Sequence, residues 1–178
     1  MKKQQFEIVV TGSNIDWTGR KVTGSHNGTI AIKQGSLTVT DGTLSGGQFI
    51  IDTTSIKILD ITEPATNAQF AGHLASPDFF ASEQYPEATF EIATVNNNHI
   101  EGFLTIKGIT GPVSFDASIN IAGDSLTATG KIVIDRTKYG IKFRSGNFFK
   151  DLGDTLIYND FDLHVTITAK AVAAPALA

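Results

Sequence analysis

Four histidines, His26, His73, His99 and His164, are the side chains whose charge changes nearest neutral pH. None stands in an H-E-x-x-H or other ligand spacing. Without cysteine, a zinc site would have to be assembled from distant His and carboxylates. The same absence removes thiolate nucleophiles and disulfides. No serine occupies a G-x-S-x-G frame, and no G-x-x-x-x-G-K-[ST] run is present. Gly24-Ser25-His26-Asn27-Gly28 is glycine-rich but enters a strand pattern rather than a helix, so it reads as a turn and not as a phosphate cradle. Asp135-Arg136 closes a long strand, either as an ion pair or as a polar anchor for an anionic ligand. What remains for catalysis is an acid or base at a strand end, His26, His73 or Asp135, working on an apolar small molecule. A strongly perturbed group inside a cavity would support that reading. No metal and no cofactor is expected.

The aromatic residues carry a clearer signal, with 12 Phe against 3 Tyr and 1 Trp. Phe supplies bulk without a polar handle, so these rings favour dry surroundings. Two doublets, Phe79-Phe80 and Phe148-Phe149, point rings both ways along the chain. Both rings of a doublet stay dry only under a second layer, where they either plug an opening or line its mouth.

The elements that must position these residues are strands. Thr (21) and Ile (20) are abundant, and β-branching suits a pleated surface. From Val113 to Ile121 the odd positions are apolar and the even ones polar; Phe161 to Ala171 repeats this, and Leu126 to Ile134 does so on even positions. Strict period 2 of this length marks strands wetted on one face. Weaker alternation covers 13–22, 26–33, 36–40, 44–56, 89–96 and 100–107, and Asp41-Gly42, Asn96-Asn97-Asn98, Gly111-Pro112 and Gly123-Asp124 are turn signals. About eight or nine antiparallel strands follow. Glu63-Pro64-Ala65 through Ala75 predicts a helix, with Phe70 and Leu74 on one side. Residues 146–159 predict a short helix or an ordered loop. The fold class is therefore all-β, an antiparallel barrel with a helical insertion and a second irregular segment, because closure covers the apolar face and removes strand edges. Residues 1–12 are set apart as an N-terminal segment, 13–170 as the barrel domain and 171–178 as a flexible tail.

The formal net charge of −4 argues against nucleic acid as a partner, since phosphate binding needs a basic surface. No run approaches the roughly 18 apolar residues of a membrane-spanning helix. A transmembrane barrel would exchange the two faces and carry Tyr/Trp girdles, which are missing. After Met1-Lys2-Lys3 the apolar run is Ile8-Val9-Val10, short of the roughly 7–15 residues of an export signal, so none is expected and the compartment stays open. A homodimer is compatible with the pattern, which places no interface.

Six blocks, in order, resemble the YceI-like family of bacterial lipocalin-like proteins that bind polyisoprenoid lipids. They are Trp17-Thr18-Gly19-Arg20-Lys21-Val22-Thr23-Gly24-Ser25-His26-Asn27-Gly28, Leu44-Ser45-Gly46-Gly47-Gln48-Phe49-Ile50-Ile51-Asp52, His73-Leu74-Ala75-Ser76-Pro77-Asp78-Phe79-Phe80, Tyr85-Pro86-Glu87-Ala88-Thr89-Phe90, Gly102-Phe103-Leu104-Thr105-Ile106-Lys107-Gly108 and Ile134-Asp135-Arg136-Thr137-Lys138-Tyr139-Gly140. The resemblance spans residues 13–170. It implies an elongated apolar pore holding an isoprenoid lipid or isoprenoid quinone, with the polar end near the mouth, no catalysis, and for many members a periplasmic location and a part in stress response. The expected lining is Trp17, Phe49, Ile51, Leu74, Phe79 and Phe80, with Phe90, Phe103, Phe148 and Phe149. Phe103 shares its strand face with Glu101, Thr105 and Lys107, so an exposed ring is the other expectation there. His26 and Arg136 are the expected head-group contacts. A barrel filled by its own side chains and acting through its surface is the remaining alternative.

Overall fold

The computed structural model describes residues 3–22, 24–142, 145 and 157–172. Among these residues nine strands run in chain order: β1 (Lys3–Ile8), β2 (Asn14–Lys21), β3 (Gly24–Thr40), β4 (Thr43–Ile58), β5 (Glu87–Asn96), β6 (His99–Ile106), β7 (Ile109–Ala122), β8 (Ser125–Asp135) and β9 (Ile157–Ala171). One helix, α1 (Pro64–Ala75), lies between β4 and β5, and a 3-10 turn, Arg136–Tyr139, follows β8. All pairings are antiparallel, and contacts of β3 with β4 and of β9 with β1 and β2 close the sheet on itself. β1 and β2 lie end to end between β3 and β9, so nine strands fill eight barrel positions.

Residues 3–8, set apart from the domain by the sequence pattern, are therefore a barrel strand, with Phe6 opposite Leu37 and Ala171. The runs 26–33 and 36–40 are one strand. Inward residues of β3 are even-numbered at Gly28, Ile30 and Ile32 and odd-numbered at Leu37 and Val39. The phase changes at a register shift against β4 between Ile32 and Gln34, where an extra residue turns the following side chains to the other face. Gly24-Ser25-His26-Asn27-Gly28 is not a turn; it opens β3 and pairs with β2. Residues 157–159, expected to be irregular, begin β9. The rest of that second segment, Phe148-Phe149 included, and the tail after residue 172 lie outside the described residues.

The two ends of the barrel differ. At the hairpin end, Phe6, Leu126 and Ala169 are each 0% exposed, and Val39, Leu37 and Leu44 pack beside them. The other end carries α1, residues 76–86 and the 3-10 turn after β8. Between the ends, β7 leaves β8: residues 109–116 pair with β6 and residues 117–122 with β8, so, among the described residues, 131–135 of β8 pair with β9 alone. Among the described residues no helix is long and apolar enough to cross a membrane.

Candidate functional site

A cavity of about 340 Å³ occupies the helix-bearing end. Ile15 and Trp17 on β2, Ile51, Thr53 and Ile56 on β4, Leu104 and Ile106 on β6, and Phe161 and Leu163 on β9 form its wall. Phe70 and Leu74 of α1, with Phe79 and Phe80, form its cover. Trp17 sits flat against the wall because residue 28 is glycine: a Cβ there would lie 2.6 Å from the indole. The indole Nε1 donates to the Thr29 carbonyl at 3.2 Å, which satisfies its polar edge.

The cover is assembled from local capping and a few long-range ties. Pro64 stands in the first turn of α1, and the Glu63 carboxylate accepts from the Ala65 and Thr66 amides at 3.2 and 2.6 Å. Those bonds, the Thr66 contact foremost, hold the Glu63 carboxyl below its usual range. No residue of α1 is buried, so the helix is a cover and not part of the core. Its start is held by Asn67, whose amide donates to the Ile58 and Ile61 carbonyls, each at 2.9 Å. Beside it the His26 Nδ1 lies 2.7 Å from Asp60, and the His26 ring meets the Phe70 ring edge-on at 4.8 Å. Burial pushes the Asp60 carboxyl up, but the Asn27 amide and His26 outweigh this and leave it below its usual value. At the end of α1, His73 lies 3.1 Å from Asp78 and 5.0 Å, edge-on, from the Phe79 ring.

Residues 76–86 are tied to a bulge in β4. Thr53 donates its hydroxyl to the Tyr85 carbonyl at 2.7 Å, and Ser82 donates to the Thr53 carbonyl at 3.0 Å. Lys107, in the β6–β7 turn, donates to the Pro77 carbonyl at 2.8 Å, and partial burial pushes its amine down.

Two arginines of the lining, Arg20 and Arg136, are engaged with the protein. Arg20 donates to Asp162 at 2.7 Å, a bond that lowers the Asp162 carboxyl and raises the guanidinium. Arg136 is 4% exposed and donates to the carbonyls of Tyr158, Ile141 and Ile157 at 3.1, 3.0 and 3.0 Å. Burial pushes it down from its ordinary value. Asp135 does not pair with it; its carboxylate accepts from the Thr137 amide and hydroxyl at 3.0 and 2.6 Å and caps the 3-10 turn. The expected Asp135–Arg136 ion pair is thus two separate structural ties.

Below the main cavity lies a smaller apolar space of about 100 Å³, walled by Phe49, Phe90 and Phe115 among others. Trp17, Leu74, Phe79, Phe80, His26 and Arg136 face the upper cavity, Phe49 and Phe90 the lower, and Ile51 both. Phe103 belongs to neither: it is 48% exposed on the outer face of β6, as its alternation with Leu104 and Ile106 requires. Phe148 and Phe149 lie outside the described residues. Ile15, Leu104, Phe161 and Leu163 also line the cavity without being expected to, although each lies on the inward face of its strand, with Trp17, Ile106 or the apolar positions of β9; periodicity marks a face and does not separate cavity from filled core.

The YceI-like domain family model matches residues 6–169. The UPF0312 protein of Staphylococcus aureus (strain bovine RF122 / ET3-1) is 44% identical over 78 residues, covering 40% of this chain and 46% of that protein. The chain thus spans about half the length of these curated relatives. Among solved structures, Burkholderia cenocepacia BcnA superposes with a TM-score of 0.71 at 18% identity, over 92% of this chain and 99% of that one. A polyisoprenoid binding domain from Saccharophagus degradans, implicated in plant cell wall breakdown, gives 0.70 at 12% identity, over 94% and 98%. At these identities the likeness is one of fold, the lipocalin-like closed barrel.

Proposed function

The chain belongs to the YceI-like family, and from that premise we propose that it binds and carries, or sequesters, a long-chain isoprenoid lipid or isoprenoid quinone in the barrel without catalysing a reaction on it. The observation that carries this reading is the cavity of about 340 Å³ under α1, lined mainly by aliphatic and aromatic side chains. Such a lining offers water few partners and an apolar tail many. Its volume falls within the roughly 300–1,000 Å³ of ligand sites, which weighs against a barrel filled by its own side chains.

Burial of apolar surface contributes about 25 cal/mol per Å², so an isoprene unit of roughly 100 Å² gains a few kcal/mol gross. Ordering the tail and losing translational freedom offset much of that. Affinity then depends on the tail, with little demand on the head group. His26 and Arg136 are the polar neighbours for that head group in this reading.

Trp17 is the chain's single tryptophan and lines the cavity, so its emission reports on occupancy. Organic extraction of the purified protein followed by mass spectrometry should recover an isoprenoid, and titration with prenols or quinones should change Trp17 emission to saturation. Absence of lipid together with unchanged emission for every prenol and quinone would overturn the proposal.

A further inference from the structure

We propose that the smaller space beneath the main cavity is a chain-length gauge for the ligand tail, with Phe49, Phe90 and Phe115 in its wall and the packed hairpin end as its floor; this rests on the isoprenoid-binding reading above. Ile15, Ile51, Leu104 and Leu163 line both spaces, so the two meet at a ring of aliphatic side chains. Below that ring Thr129 is the polar residue of a lining otherwise aliphatic, aromatic or glycine. A close-packed interior leaves few voids larger than a water molecule, and a dry space of about 100 Å³ forfeits contacts that a tail end would restore.

The aromatic wall is fixed in place. The Phe49 and Phe90 rings stack at 6.3 Å with a 25° interplanar angle, and the Phe90 and Phe115 rings meet at 5.9 Å. Phe90 lies across Gly102, where a Cβ would come within 2.7 Å of the ring. Toward the hairpin end Leu37 and Leu44 line the space and pack in one core with fully buried Phe6, Leu126 and Ala169, which closes it. Ala117, Ala128 and Gly130 are the small residues of the lower lining, and they leave the width into which a tail end fits. Tails that reach the floor gain contacts with each added unit; longer tails leave their excess outside the cavity and gain nothing further.

The test measures affinity, through Trp17 emission, for prenols of increasing length from geraniol through farnesol and geranylgeraniol to solanesol. In the wild type, affinity should rise about tenfold or more per isoprene unit and then stop rising. Ala128→Phe should move the break to a shorter prenol, with geraniol affinity kept within about twofold. Phe115→Ala should move it to a longer one by about tenfold in affinity for the next prenol, and Phe115→Leu, which keeps the interior better filled, by a smaller step. A length profile identical in wild type and all three variants overturns the gauge while leaving the function proposal standing. Affinity that climbs unbroken to solanesol also overturns it, and sends the tail out between residues 109–116 and 131–135, where β7 and β8 part. Failure of every prenol and quinone to bind the wild type removes both proposals together.

Discussion

The two ends of this barrel are built from the same alternating strands and do opposite things with them. At the hairpin end the inward residues meet one another: Phe6, Leu37, Val39, Leu44, Leu126 and Ala169 pack with almost no exposure. At the helix end, inward Trp17, Phe161 and Leu163 remain partly exposed within the cavity, and the space above them is roofed by α1 and Phe79-Phe80. The difference lies in what spans the opening. Short hairpins let side chains from opposite walls meet, whereas a separate cover spans the wider mouth and leaves room beneath it. Alternation builds a wall; the loops decide whether the wall encloses a core or a chamber.

The largest expected contrast is in stability. Phe6→Ala at the filled end should lower unfolding free energy by about 3–5 kcal/mol, read from a denaturant midpoint, with prenol affinity of the folded fraction unchanged. Arg136→Met should follow at about 3 kcal/mol, because it strips a charged donor from three carbonyls at the mouth. Phe79→Ala should reverse the balance: about 1 kcal/mol in stability but a tenfold or greater loss of prenol affinity, measured by Trp17 emission. Equal stability losses for Phe6→Ala and Phe79→Ala would erase the distinction between the ends.

A smaller effect concerns acid. Arg20 holds Asp162 below its usual value, so the carboxylate contributes stability above its unfolded pKa of about 3.9, and this is lost as pH falls through the depressed folded value. Asp162→Asn should therefore flatten the acid limb of a stability-against-pH curve. Phe103→Ala should do least, within about 0.5 kcal/mol and with no change in prenol binding, since the ring stands on the outer face.

Much of the architecture was legible in residue order. The alternation along β7, β8 and β9 placed their inward faces, and Glu63-Pro64 marked the start of α1 at its observed position. β1 was missed because Lys3 to Ile8 is short and mixed, and it becomes a strand through partners far away in sequence, on β3 and β9. The phase change within β3 read as two strands because a bulge reverses parity at Lys33-Gln34, and Gly35 beside it reads as a break. Site residues were legible where bulk was conspicuous, as at Phe79 and Phe80. Arg136 was noticed as a charge, but its role depends on three backbone carbonyls that only the folded chain brings to it.

The cover has a kinetic consequence. A helix with no buried residue keeps its place by a handful of ties, the Asn67 bonds to the Ile58 and Ile61 carbonyls and the His26–Phe70 ring contact among them, while the barrel beneath keeps its own ladder intact. Detaching it requires only local opening, far below the free energy of global unfolding, and its amides should exchange with solvent well before those of β8 or β9. On the isoprenoid-binding proposal, residence time of a tail would be governed by how often the roof lifts, and affinity and turnover of cargo would be separately adjustable: the first in the wall, the second in the ties.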